Sequence, residues 1–296
     1  MKNLRQLSIS LLVASTAVLA ACGHATPVNS VAGLKDAGLP TAMMAGHVRK
    51  FGYNLSRFQK ELKFQQHPVH FARRGAAPAS VDNRQFCSPV ADQGQLGSCT
   101  AFSMAKGLRE YLQNKNGEKA TPMSALWLYY NERAHMGAQY IKQDSGANMS
   151  DGNFVLSNQG CATESTWSYN IAKFTVKPPA AADASAAAWK IKSAANLATV
   201  DDVKAAVAAG QPVVFGFTVY ESFESIGADG IMPDPKAGES VLGGHAVMVV
   251  GYDDQKQMLT VRNSWGGGWG DKGYFYMSYK FASDVNNAMD WWTAAN

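Results

Sequence analysis

A glycine-punctuated loop that runs straight into an apolar-faced helix constrains this chain most. The loop is Pro89-Val-Ala-Asp-Gln-Gly-Gln-Leu-Gly-Ser-Cys99. Beyond it, Ala101, Ala105, Leu108 and Leu112 recur at three- and four-residue steps, with Phe102, Met104 and Tyr111 beside them. That period is a helix with one buried face. Ser98 is expected as its N-cap, which puts Cys99 in the first turn. There the helix dipole and the unpaired backbone N–H groups favour a thiolate over a thiol. Taken alone, Cys99 reads equally well as a small buried core residue.

A nucleophilic cysteine needs a base. The chain has six histidines: His24, His47, His67, His70, His135 and His245. The first four precede the Cys99 segment, and His135 lies in a helix-like run as an ordinary packing or surface residue. His245 stands apart, in Gly243-Gly-His-Ala-Val-Met-Val-Val-Gly251 at the start of an apolar strand. Two glycines before it permit close approach to another surface.

A partner strand follows in Leu259-Thr-Val-Arg-Asn-Ser-Trp-Gly-Gly-Gly-Trp-Gly270, joined by a polar turn around Asp253-Asp-Gln-Lys256. A hairpin places Asn263 across from His245, where its amide oxygen can accept an imidazole N–H, fix the tautomer and aim the ring. Trp265 is expected to shield that bond from water. Gln93, six residues before Cys99, can direct its side-chain N–H at a developing oxyanion, beside the backbone N–H of Cys99.

The three blocks Gln93-Gly-Gln-Leu-Gly-Ser-Cys-Thr-Ala-Phe-Ser103, Gly244-His-Ala-Val247 and Arg262-Asn-Ser-Trp-Gly-Gly-Gly-Trp-Gly270 closely resemble the signatures of papain-like cysteine peptidases. His245 and Asn263 lie 146 and 164 residues beyond Cys99, near the spacing of that family. The resemblance covers roughly residues 81–281, and Val81-Asp-Asn-Arg84 resembles the start of a mature enzyme. It implies an α+β papain-like fold, with a helical left domain, an antiparallel β barrel-like right domain, and the active-site cleft between them. It implies Cys99 as nucleophile, His245 as base and then acid, Asn263 as orienter and Gln93 as oxyanion donor. The implied reaction is peptide hydrolysis through a thioester, without a cofactor or metal. The substrate is a protein or peptide, and a monomer is expected.

The sequence departs from plant and animal members. Leu96 stands where they carry a disulfide cysteine, and Thr100 where they carry tryptophan. The stretch Asp144-Ser-Gly-Ala-Asn-Met-Ser-Asp151 replaces their Gly-Cys-Asn-Gly-Gly block. This points to a bacterial branch. Ser145, Gly146 and Ala147 remain candidates for the extended wall that pairs with substrate. With Cys22 assigned to lipid (below) and Cys99 to catalysis, Cys87 and Cys161 are left as a candidate disulfide in an exported protein. Two free buried thiols is the other reading.

The N-terminus carries its own signals. Residues 1–21 have Lys2 and Arg5, then an apolar run from Leu7 to Ala21. This run is short for a bilayer span and matches a secretory signal. Leu19-Ala-Ala-Cys22 resembles a bacterial lipoprotein processing site, so lipidation of Cys22 and attachment to a membrane, the outer membrane or its periplasmic face, are expected. The alternative is plain signal cleavage and secretion.

Residues 22–80 form a tether and propeptide-like segment, followed by the peptidase domain over 81–296. A helix is expected over Met43 to Phe64, from Val48, Phe51, Leu55, Phe58 and Leu62. Between 23 and 80 there are eight Lys/Arg against two acids, a net charge of +6; Lys2 and Arg5 add two more, so a chain of +4 leaves −4 for residues 81–296. A basic arm on an acidic domain docks electrostatically. The segment is therefore expected to lie in or near the cleft and hold the enzyme in check; the bland reading is a spacer. Export argues against a nucleic-acid partner. An exopeptidase, amidase or transferase using the same residues, or a catalytically silent surface binding protein, are the other functions this pattern allows.

Overall fold

The computed structural model describes residues 39–55, Ala45 excepted, and 77–296. The signal segment, Cys22, the tether as far as residue 38, and residues 56–76, with Phe58 and Leu62 of the expected helix, lie outside the described residues.

Three helices and one sheet position the site. Helix α1 spans 99–115, α2 Ala125–Met136 and α3 Met149–Asn158. The middle of α1, Phe102–Arg109, winds wider than an α-helix, while Cys99–Ala101 and Glu110–Lys115 are α-helical. Such a widened stretch inside a helix is uncommon and tends to sit beside functional residues. Two smaller helices follow, α4 Ala180–Ala186 and α5 Val200–Ala208. The first, in an alanine-rich stretch, turns Ala182 and Ala186 inward. The second starts with a capping box in which the Thr199 side chain accepts from Asp202 N–H and the Asp202 side chain accepts from Thr199 N–H.

The sheet contains β3 Ser80–Asp82, β4 Ser193–Asn196, β5 Val213–Tyr220, β6 Val241–Asp253, β7 Met258–Arg262, β8 Tyr274–Ser278 and β9 Ala288–Ala295. Its order is β4-β9-β5-β6-β7-β8, with β3 added to β6, and the pairings are antiparallel. This is the α+β papain-like architecture that the sequence resemblance implies. Strands β5 and β6 separate two cores by their two-residue period. Val214, Ala246 and Met248 face the helices, against a core that includes Leu108, Tyr111, Leu126, Trp127 and Leu156. Phe215, Phe217, Val247 and Val249 face the other way, with Phe275 and Trp291. Trp291 stacks on Phe215 at 3.9 Å between ring centroids, so the tail packs as a strand of the sheet.

Residues 41–50 are not helical. Strand β1, Thr41–Met44, pairs with β2, His47–Lys50, in a hairpin, and residues 51–54 continue extended. Tertiary pairing overrides the helical period here. Phe51 N–H donates to Pro40 O, Tyr53 N–H to Gly244 O and Asn54 N–H to Ala147 O. Phe51, Tyr53 and Leu55 are buried.

Cys87 and Cys161 are not bridged; both are free thiols. Cys161 Sγ is directed at Ser124 O, at 3.8 Å, whereas Cys87 lies beside Arg262 and Tyr274. Each sulfur has its own surroundings, and chain spacing alone cannot bring two Cα atoms within bonding range.

Arg262 joins the sheet to the loop that leads to Cys99. Its side chain is buried, and it donates to Ser88 O at 2.5 Å and Pro89 O at 3.0 Å. Arg262→Met is expected to leave those carbonyls unpaired and to cost about 2–4 kcal/mol. A fall in the urea midpoint at unchanged slope is the measurement; an unmoved midpoint would show the brace to be dispensable.

Candidate active site

Cys99 opens α1, with its sulfur against β6. Ser98 does not cap the helix with its side chain as expected. Its hydroxyl instead pairs with Tyr169 OH at 2.8 Å, and its carbonyl accepts from Phe102 N–H. Burial pushes the Cys99 thiol up to about 12, against the opposing pull of the backbone N–H groups of Ala246, Gly52 and Thr100. Those N–H groups also locate the sulfur: it lies between the start of its own helix, the residue after His245, and the N-terminal segment.

His245 is fully buried, and its Nε2 lies 2.8 Å from Asn263 Oδ1. Hairpin β6–β7 makes this contact, with Met248 opposite Arg262. Asn263 Oδ1 also accepts from Ser264 N–H at 2.8 Å, which holds the amide in place. With the Nε2 proton given to Asn263, Nδ1 is the basic nitrogen, and it is buried without a hydrogen-bond partner. Burial lowers the His245 pKa to about 4; Asn263 opposes the shift and the Arg49 charge adds to it. Trp265 stacks over the imidazole at 4.9 Å and 27°.

Gln93 is buried and fixed on both sides. Its Oε1 accepts from Ser264 Oγ at 2.5 Å, and its backbone N–H donates to Ser264 O at 2.9 Å. Its Nε2 donates to Leu96 O at 3.0 Å and reaches Lys50 O at 3.5 Å. Ser264 thus ties Gln93 to the residue beside Asn263. As a lone serine it carried no signal in the sequence.

Ala147 of the candidate wall donates its N–H to Gly52 O at 2.9 Å and accepts from Asn54 N–H at 3.1 Å, a parallel pairing around Tyr53. Gly146 N–H donates to Tyr129 OH at 3.0 Å, and Ser145 Oγ turns to Gly146 O. Asp144 organises this corner. It accepts from Gly97 N–H and Tyr129 OH, and it pairs with Lys50 at 3.0 Å.

Of the basic segment expected in or near the cleft, residues 50–54 are the part that lies across this site. Gly52 sits so close to Gly97 that a Cβ on it would fall 1.8 Å from Gly97 O. Phe51 is fully buried, edge-on to His245 at 6.2 Å. Arg49 pairs with Asp92 and lies 5.5 Å above the Trp265 ring.

A family profile described as papain family cysteine protease matches residues 77–292. The chain belongs to the papain family of cysteine proteases. A peptidase C1-like protein of Acanthamoeba polyphaga mimivirus, itself uncharacterised, is 41% identical over 213 residues, 68% of each chain. The thiol protease aleurain of Arabidopsis thaliana is 29% identical over 70% of this chain and 58% of its own. Among solved structures, xylellain, a cysteine protease from Xylella fastidiosa, has 30% identity and a TM-score of 0.73, covering 83% of this chain and 96% of its own. This papain-family chain is therefore a cysteine-type peptidase, a hydrolase.

With its thiol pushed up to about 12 by burial, Cys99 is expected to carry about three-thousandfold less thiolate at pH 7 than a free cysteine of pKa about 8.5. The thiolate fraction rises tenfold per pH unit until the raised pKa is reached. Iodoacetamide labelling of the Cys99 peptide in the intact chain, followed by mass spectrometry, is expected to be correspondingly slow and to accelerate with pH. Labelling at the rate of free cysteine near pH 7 would contradict the burial.

Proposed function

We propose that this peptidase cleaves peptide bonds with Cys99 as nucleophile, His245 as base and acid, Asn263 as its orienter and Gln93 as oxyanion donor, and that residues 39–55 hold it inactive. The observation that carries the catalytic part is the His245–Asn263 pair. It leaves a basic Nδ1 in the ring next to Ala246, whose N–H touches the Cys99 sulfur.

The steps follow from those atoms. His245 Nδ1 takes the thiol proton, and sulfur attacks the substrate carbonyl carbon. The C=O π pair moves onto oxygen, held by Gln93 Nε2–H and the Cys99 backbone N–H. Collapse breaks the C–N bond, and the leaving amine takes the proton from the imidazolium. Water then gives a proton to Nδ1 and attacks the thioester. The second collapse expels the thiolate, releases the acid and restores the site.

The inhibitory part is supported by how residues 50–54 bind. They borrow backbone partners a substrate would use, namely Ala147 N–H and O and Gly244 O. Yet an amide N–H, that of Gly52, meets the sulfur rather than a carbonyl carbon. Its two cations meet the acids of the body, Arg49 with Asp92 and Lys50 with Asp144.

Gly52→Ala is expected to push the segment off Gly97. Hydrolysis of a fluorogenic peptide by the full-length variant should then rise at least tenfold, toward that of a chain cut at an engineered site between residues 56 and 76. Cys99→Ala in either background should remove activity. Equal activity of the intact and cut chains would discard the inhibition, and turnover by Cys99→Ala would discard the nucleophile.

Export as a lipoprotein completes the proposal: residues 1–21 direct secretion and Cys22 carries the lipid. Radiolabelled palmitate is expected to enter the wild-type protein in a bacterial host and not Cys22→Ala. Equal labelling of both would refute it.

A further inference from the structure

Resting on the peptidase reading, we infer that Tyr169 is a positioning residue for the hydrolysis: its hydroxyl clamps the two ends of the Gln93–Cys99 loop and so sets the distance between the two donors that hold the oxyanion.

The donors come from opposite ends of one short loop. Gln93 supplies Nε2–H, and Cys99 supplies its backbone N–H. Five residues lie between them, and two of these are glycines, Gly94 and Gly97. Gly94 turns with φ of +61°. A loop of that composition does not by itself hold its ends at a fixed separation. The Tyr169 hydroxyl bridges them. It lies 2.8 Å from Gln93 O and 2.8 Å from Oγ of Ser98, the residue before Cys99. The protons fix the directions. A carbonyl can only accept, so the phenol donates to Gln93 O, and the Ser98 hydroxyl donates to the phenol oxygen. Ser98 gives up its expected capping role to make this contact.

Tyr169 is anchored independently of the loop it clamps. Its ring meets Phe102 edge-on at 4.8 Å and 88°. Its backbone N–H donates to Glu164 Oε1 at 2.6 Å, and Glu164 Oε2 pairs with Lys106 at 2.9 Å. Phe102 and Lys106 belong to α1, the helix that Cys99 opens. Burial pushes the phenol well above its ordinary range, against the pull of Ser98, so it keeps the proton it donates.

The clamp joins two layers. Ser264 ties Gln93 to the sheet side, through Oε1 and the backbone N–H. The Cys99 N–H moves with α1. Tyr169 is the tie between them, because it holds the Gln93 backbone to that helix. One Gln93 Nε2 proton is committed to Leu96 O at 3.0 Å, and the other faces Lys50 O at 3.5 Å. The second is the one open to an oxyanion once the N-terminal segment leaves. A small error in its aim weakens the transition state and hardly touches substrate binding.

The test uses the full chain with an engineered cleavage site between residues 56 and 76, cut after purification, and a fluorogenic acyl-dipeptidyl-aminomethylcoumarin. Gln93→Ala is expected to lower kcat about a hundredfold, the loss of one oxyanion donor. Tyr169→Phe keeps the ring and removes the clamp; kcat should fall about tenfold with KM unchanged. In the Gln93→Ala background the same change should cost only about twofold, because no donor pair is left to space. Ser98→Ala cuts the span from its other end and should show the same dependence on Gln93, so the reading survives a Tyr169→Phe chain that fails to fold.

Equal loss from Tyr169→Phe in both backgrounds would make Tyr169 a purely structural residue and overturn the clamp, as would an unchanged kcat. Gln93→Ala at the wild-type rate would overturn Gln93 as oxyanion donor and the clamp with it, while leaving Cys99 hydrolysis standing. If the wild-type chain hydrolyses nothing, the peptidase reading falls. Hydrogen exchange then decides the clamp without turnover: in the uncut chain Tyr169→Phe should quicken exchange of the amides of residues 94–98 several-fold and leave the strands alone, and unchanged exchange there refutes it.

Discussion

Desolvation of one sulfur and one imidazole governs this structure. A thiolate–imidazolium pair is two charges, and each must be hydrated or held by dipoles to exist. With residues 50–54 in place, burial drives the two groups the opposite way. The Cys99 thiol is pushed up to about 12 and the His245 imidazole down to about 4. Both are then neutral at physiological pH. The groups that would favour charge are nevertheless already assembled: three N–H donors around the sulfur, Asn263 on the imidazole, and the first turn of α1. Uncovering the cleft readmits water to a site that is otherwise complete.

Keeping that site assembled requires the helices and the sheet to stay in register, because Cys99 and His245 belong to different layers. The connection is polar and specific. Arg262 on β7 holds the carbonyls of Ser88 and Pro89 at the head of the Cys99 loop. Ser264, two residues on, grips Gln93 through both backbone and side chain. One short stretch of the chain, 262–265, therefore fixes the loop, the Gln93 side chain, the Asn263 amide and the ring above the imidazole. This explains why substitutions around Asn263 need not touch the sulfur to disturb it.

The candidate site residues were legible because the chemistry proposed for them demands rare combinations at fixed places. Cys99, His245, Asn263 and Gln93 could be picked out by type, spacing and the glycines around them, and the hairpin that joins His245 to Asn263 followed from alternation and a polar turn. What stayed hidden depends on contacts between distant segments. Val48, Phe51 and Leu55 satisfy a helical period, and only the Ala147 and Gly244 backbones decide for an extended chain. Cys87 and Cys161 paired by elimination, but Arg262, Tyr274 and Ser124 claim their surroundings.

Magnitudes decide what holds the N-terminal segment down. The Arg49–Asp92 pair has an acid 48% exposed, and the Lys50–Asp144 pair has a lysine 33% exposed. Each is worth no more than about 1 kcal/mol, less in salt. Phe51, Tyr53 and Leu55 are 0%, 2% and 7% exposed, and burying side chains of that size contributes about 1.5–3 kcal/mol apiece. Apolar burial therefore supplies most of the attraction, and the charges supply register and encounter. Against this stands the entropy of ordering the segment, which removes much of the gain. The chain resolves the balance by being continuous. A tethered segment meets its site at an effective concentration on the order of millimolar, so even modest intrinsic affinity keeps the cleft covered. Once the tether is cut, the same contacts face dilution. On the proposed inhibitory role, a single cut in the tether would therefore open the site without altering any interaction within it.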